Sequence, residues 1–142
     1  MSLERKLRPG LSSTFRKTVS EADVYLFAGI TGDFGRMHVD EEFAQAAGTG
    51  GRVAHGALLV GFMSAAAVAA VPDPDPPIVS MGYDRIRFVH PVRFGDTVEV
   101  HYQVVEVDEA LGRARAEIEV KNQQGTTVAA ATHVLKILTA SI

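Results

Sequence analysis

The run 56–71 constrains this chain more than any other stretch. It is apolar on every side, interrupted only by Gly61 and Ser64, and Pro72 stops it. A helix of that composition asks for burial around its whole circumference. At the helical rise it spans roughly 24 Å, and it is too short and too rich in alanine to cross a bilayer. It is therefore expected as a buried helix around which other elements pack.

The cover for such a helix lies in the second half of the chain. Ile86 and Phe88 alternate with Arg85 and Arg87. Val98, Val100, Tyr102 and Val104 alternate with Glu99, His101 and Gln103, and Ala114, Ala116, Ile118 and Val120 alternate with Arg115, Glu117 and Glu119. These are half-buried strands. The segment 126–138 is apolar on both faces around Val134, Leu135 and Ile137, as a central strand should be. Turn signals at 90–96, 108–112 and 123–125 separate the runs, and such short loops predict an antiparallel meander. A sheet with one polar face must bury the other, and only the helix 56–71 is apolar enough to meet it. The expected class is α+β, an antiparallel sheet wrapped around a long central helix.

The first half supplies shorter elements. Residues 11–18 form a weak strand candidate. Ser20 is placed to cap a helix over about 21–30, where Val24, Phe27 and Ala28 fall at helical spacing. Asp40, Glu41 and Glu42 suit the start of a second, short helix, with acids near its positive N-terminus. Gly48-Thr49-Gly50-Gly51 has neither a dinucleotide fingerprint nor the lysine of a phosphate loop, and reads as a flexible linker. Residues 72–77, rich in proline, predict a stiff extended connection.

With 142 residues and 46% hydrophobic content, the chain fits one domain over its whole length. Its net charge of −3 comes without blocks of like charge, so neither a nucleic-acid surface nor a polybasic membrane patch is indicated. The absence of cysteine excludes a disulfide scaffold, a thiolate nucleophile and a cysteine-ligated metal. A reducing cytoplasm is the expected compartment of such a cysteine-free chain, and residues 1–11, which lack the apolar core of a signal peptide, do not support secretion.

Chemistry concentrates in Gly32-Asp33-Phe34-Gly35-Arg36-Met37-His38 and in Val53-Ala54-His55-Gly56. Asp33 and His38 are two proton-transferring side chains five residues apart in a glycine-bearing loop. Gly56 opens the long helix, whose first amides lack partners within the helix. Carboxylate, imidazole and free amides suffice to add water to an alkene conjugated with a thioester: a base for water, a proton for the α-carbon, and donors for the enolate oxygen. His55 is ranked below His38, because its place just before the helix suits a capping or loop-fixing role. Ser64 is a hydroxyl inside an apolar helix, and it needs a partner. His90, His101 and His133 have no ligand-like spacing, so no metal and no cofactor is expected. Arg85, Arg87 and Arg93 suit the solvated side of a sheet, though an anionic tail would use such groups.

Gly-Asp-x-x-x-x-His, then Ala-His-Gly, then a serine eight residues past that glycine resembles the MaoC-like dehydratases, the (R)-specific enoyl-CoA hydratases, over nearly the whole chain. That family's first motif usually reads Gly-Asp-x-Asn-Pro-(Leu/Ile)-His, and here Gly35 and Arg36 stand in place of Asn and Pro. The resemblance implies a hot-dog fold, a homodimer that closes the substrate tunnel, and (R)-specific hydration of a trans-2-enoyl-CoA. It implies catalysis by Asp33 and His38, with Gly56 holding the thioester oxygen and Ser64 bonded to the Asp33 carboxylate. Phe34, Ala54 and His55, which border the motifs, are the expected substrate contacts. Two rivals stay open at this point: a thioesterase on the same fold, using Asp33 with water, and a non-catalytic acyl-CoA-binding module.

Overall fold

The computed structural model describes residues 5–139. It contains a strand β1 (Ser12–Thr18), three short helices α1 (Glu21–Thr31), α2 (Arg36–Val39) and α3 (Glu41–Ala46), a long helix α4 (Gly56–Ala70), and four strands β2 (Ile78–Phe88), β3 (Thr97–Asp108), β4 (Arg113–Lys121) and β5 (Thr127–Ile137). No described helix is long and apolar enough to cross a membrane.

The helix ends follow local chemistry. Ser20 and Asp23 cap α1 reciprocally: the Asp23 amide donates to Ser20 Oγ at 3.1 Å, and the Ser20 amide to Asp23 Oδ2 at 2.9 Å. Gly32 ends α1 in the left-handed conformation, φ 85°, and its amide donates to the Ala28 carbonyl. Asp40 accepts from the Phe43 amide to start α3. The single turn α2 was not expected from the pattern, because four residues hold too little periodicity to announce a helix.

All strand pairings are antiparallel, in the order β1-β3-β4-β5-β2. Strands β3, β4 and β5 form the expected meander, and β5 is central, between β4 and β2. Strand β2 departs from expectation. It lies at the far edge beside β5, so residues 89–96 are a crossover toward the other side of the sheet rather than a turn between neighbours. The backbone of β5 pairs along one edge with β4, and β2 satisfies the other. His90 accordingly sits in this crossover and not on a strand.

The crossover also organises the second motif. The Ala54 amide donates to the Val92 carbonyl at 2.7 Å, and Val53 bridges Arg93. The loop 48–51, expected to be a flexible linker, is pinned. Thr49 Oγ1 donates to the carbonyls of Ala44 and Gly51, and the Arg93 guanidinium lies over Gly50 so closely that a Cβ there would be overlapped.

The inward residues of β3 and β4 are the alternating sets read from the sequence, and they pack on Leu59, Met63 and Ala66 of α4. The expectation of a helix buried all round is not met within one chain. Leu59, Met63, Ala66 and Ala70 are buried, whereas Ala57, Gly61, Ser64 and Val68 form an exposed stripe on α4. One curved sheet covers one side of a cylinder, and the other side stays open.

Candidate active site

Asp33 follows the Gly32 turn, with its side chain 54% exposed. The carboxylate accepts the Gly35 amide at 3.1 Å through Oδ1, and the Asp33 amide donates to Thr31 Oγ1 at 3.2 Å. This local Asx geometry fixes the carboxylate without burying it.

His38 sits on α2 with Nδ1 2.7 Å from the Val53 carbonyl. A carbonyl only accepts, so Nδ1 carries the hydrogen and Nε2 of the neutral ring carries the lone pair. A Cβ built on Gly35 would lie 3.2 Å from Asp33 Oδ1 and 3.8 Å from His38 Nε2. The Asp33 carboxylate and the His38 ring thus come together beside Gly35, and ligand atoms of the two residues lie within 4.8 Å of each other, a spacing that one small polar molecule can bridge.

His55 lies beneath. Its side chain is 1% exposed, its ring stacks on His38 at 3.8 Å between centroids, and Phe27 flanks it at 4.7 Å. Nε2 is 2.9 Å from the Asp33 backbone carbonyl, so Nε2 bears the hydrogen, and Nδ1 is buried with no partner. This geometry makes His55 a support for Asp33 and His38, since a buried ring has no face to offer a substrate. Ligand atoms of Asp33, His38 and His55 all lie within 4.8 Å of one another.

Gly56 begins α4 with His55 as its capping residue. A Cβ at Gly56 would lie 2.6 Å from ring carbons of Phe88, so a side chain there would have to displace that ring, and the start of the helix lies beside an aromatic wall. Phe34 is exposed at the rim, 56%, whereas Ala54 is buried and contributes backbone only. Ser64, two turns further along α4, reaches the Tyr83 hydroxyl, whose ionisation is pushed up by burial and opposed by that contact. Among the described residues Ser64 does not meet the Asp33 carboxylate, and it stands opposite Tyr83 instead.

Two residues that sequence reasoning passed over hold the motifs together. The Val53 carbonyl sets the His38 tautomer, which no side-chain pattern could announce. Arg52 donates to Glu21 at 2.6 Å, to Glu41 at 2.9 Å and to the Tyr25 hydroxyl, and it lies over the Phe94 ring. Glu21 first, then Tyr25, holds its guanidinium firmly protonated. A lone arginine immediately before the second motif was the available signal. The departure at Gly35-Arg36 is absorbed: Gly35 has φ −51° and ψ 136°, open to any residue. Arg36 opens α2, pairs with Asp40 at 3.0 Å and covers the Phe43 ring. The Phe43 amide, then Arg36, holds the Asp40 carboxyl below its usual range.

Comparison with known proteins gives the same arrangement a family. A sequence profile described as MaoC like domain matches residues 7–130. An (R)-specific enoyl-CoA hydratase of Rhodospirillum rubrum is 41% identical over 92 residues, 65% of this chain and 62% of that protein. A 3-hydroxybutyryl-CoA dehydratase of Methylorubrum extorquens is 38% identical over 109 residues, 77% of this chain and 68% of that protein. The match thus spans less than two thirds of the first relative's length. The solved (R)-hydratase of A. caviae superposes with a TM-score of 0.83 at 25% identity, covering 93% of this chain and 98% of that one. The fold is the α+β hot-dog fold, and with its profile matched across most of its length, the chain belongs to the MaoC-like family.

Proposed function

We propose that this protein is an enoyl-CoA hydratase, adding water reversibly to a trans-2-enoyl-CoA to give the (R)-3-hydroxyacyl-CoA. The observation that carries this reading is that ligand atoms of Asp33 and His38 lie within 4.8 Å of each other beside Gly35, with the His38 lone pair assigned by the Val53 carbonyl. The (R) outcome rests on the relative from R. rubrum, named (R)-specific.

Water held between the two side chains gives a proton to the pair as its oxygen adds to C3. The resulting enolate charge is met by the Gly56 amide at the positive end of α4. The pair then returns a proton to C2, so that one water is consumed and the side chains end as they began. His55 supports both members through the Asp33 carbonyl and the ring stack.

Mixing the protein with crotonyl-CoA and following the loss of enoyl-thioester absorbance tests the reading. Hydration without release of free thiol is expected. Thiol release without hydration would replace it with a thioesterase, and neither reaction would leave a binding module.

We propose in addition that the working form is a cytoplasmic homodimer, the compartment in keeping with a cysteine-free composition. Strand β2 is an edge, Val79, Met81, Phe88 and Val89 are exposed along and just past it, and α4 keeps an open stripe. A second copy would cover such surfaces. Sedimentation at micromolar concentration should give the dimer mass, and an active monomer would refute the assembly.

A further inference from the structure

Helix α2 carries His38 and has little of its own to hold it. It is a turn of 4 residues, and its capping residue, Gly35, has no side chain to accept a first-turn amide. A turn of that length is unstable by itself, because nucleation fixes more backbone than one hydrogen bond repays. The usual motif of the family places Asn at the cap and Pro at the first helical position, the two residue types that stiffen a helix start. This chain has Gly35 and Arg36 there.

Support for α2 comes from two sides. On one, the Val53 amide donates to the Met37 carbonyl at 3.0 Å, and His38 Nδ1 donates to the Val53 carbonyl at 2.7 Å. On the other stands Asp40. Arg36 donates to Asp40 Oδ2 from Nε at 3.2 Å and from a terminal nitrogen at 3.0 Å, and its guanidinium lies 4.2 Å from the centre of the half-buried Phe43 ring. The second carboxylate oxygen, Oδ1, accepts the Phe43 amide at 3.0 Å and so caps α3. The Asp40 amide donates back to the Arg36 carbonyl at 2.9 Å.

One carboxylate therefore serves both helices: it receives Arg36 from the start of α2 and caps the start of α3. An exposed pair four residues apart on a single helix adds little to global stability. Across a junction its effect is local, because it fixes the turn of α2 against α3 while the core is untouched.

We infer that Arg36 is a positioning residue for His38, holding the turn that carries the imidazole by its clamp on Asp40 and Phe43, in place of the stiffness that proline gives by ring closure. This goes beyond the hydratase reading and rests on it, since there His38 moves a proton. Proline is also the discriminating replacement. The Arg36 amide makes no hydrogen bond among the described residues, so its removal costs nothing there. Gly35, at φ −51° and ψ 136°, already has the extended backbone that a residue before proline prefers.

The test measures kcat and KM with crotonyl-CoA for the wild-type protein, Arg36→Ala, Arg36→Pro and Asp40→Asn, with circular dichroism as the folding control. Arg36→Ala should lose about three- to fivefold in kcat, the result of a turn in place for roughly a fifth to a third of the time once an exposed clamp is gone. KM and the melting temperature should hardly change. Arg36→Pro should recover the wild-type kcat without the charge. Asp40→Asn keeps an oxygen for the Phe43 amide and loses the charge, so it should lower kcat as Arg36→Ala does, and it should have no further effect when added to Arg36→Pro. Raising salt from roughly 0.1 to 1 M screens an exposed pair, so the wild-type kcat should decline and that of Arg36→Pro should hold. An undiminished kcat in Arg36→Ala, a loss that folded Arg36→Pro does not restore, or an effect confined to KM overturns the clamp and leaves hydration standing. Were Arg36→Pro not to fold, an unchanged kcat in Asp40→Asn would overturn it instead. No turnover by the wild-type protein overturns the hydratase reading, and the positioning role with it.

Discussion

The rings of His38 and His55 lie stacked, 3.8 Å between centroids and 24° from parallel, and only His38 reaches the surface. His55 in turn donates to the carbonyl of Asp33, so one buried ring supports both members of the proton-transferring pair. Replacing it as His55→Phe keeps the stack and removes the donor. The expected result is a folded protein whose kcat falls about fivefold, the net value of one hydrogen bond, with KM nearly unchanged. A rise in KM alone would mean that His55 contacts substrate after all.

Asp33→Asn and His38→Gln should each lower hydration by ~10²–10⁴. Asn keeps the Gly35 contact without accepting a proton from water, and Gln cannot pass one on. Both side chains act on one transition state, so the double variant should lose much less than the product of the two single losses. Rates from enoyl-thioester absorbance, with circular dichroism as the folding control, decide this. A folded Asp33→Asn protein within about threefold of wild type would refute the assignment.

Strand positions in β3 and β4 were legible because alternation with a period of two survives any arrangement of neighbours: Val98, Val100, Tyr102 and Val104 are all buried. The position of β2 was not legible. Pairing order depends on which edge needs a partner, and residues 89–96 carry the same turn signals whether they close a hairpin or cross the sheet. Asp33, His38 and Gly56 stood out as candidates from their spacing, whereas the contacts around them did not. The Val53 carbonyl, the ring beneath His38 and the aromatic wall of Phe88 are tertiary contacts with no signature of their own. Ser64 illustrates the same limit: a hydroxyl in an apolar helix announced a partner, and the fold supplied Tyr83.

His133 makes stability depend on pH in a defined window. Burial lowers its pKa to about 4 from an ordinary 6.5. Between those values the unfolded chain binds a proton that the folded chain refuses, so stability is full above 6.5 and is lost as pH falls toward 4. The loss is on the order of 3 kcal/mol. Asp23, Asp40 and Glu41, whose pKa values are lowered in the fold, remove stability only below about pH 4–5, where the unfolded carboxylates begin to protonate. In His133→Gln the melting temperature should therefore be flat from pH 6.5 to about 5 and still fall below that. An unchanged slope above pH 5 would show that His133 titrates normally.

Gly56 and Phe88 give the last prediction. A methyl group at Gly56 would sit 2.6 Å from the Phe88 ring, well inside contact distance, so Gly56→Ala must displace that ring. Phe88 is 51% exposed and can swing outward, and Ala is a better helix former than Gly, so the fold should survive with a stability change within about 1 kcal/mol. Activity should suffer more. The methyl crowds the amide that meets the thioester oxygen, and loss of one such donor costs ~10²–10³ in kcat. Phe88→Ala alone should leave that donor in place and weaken substrate binding instead, seen in KM. In the double variant the ring no longer blocks the methyl, so part of the kcat loss from Gly56→Ala should be recovered. Steady-state kinetics on the four proteins read this cycle. Strict additivity would mean that Phe88 does not wall the amide of Gly56 in the working enzyme.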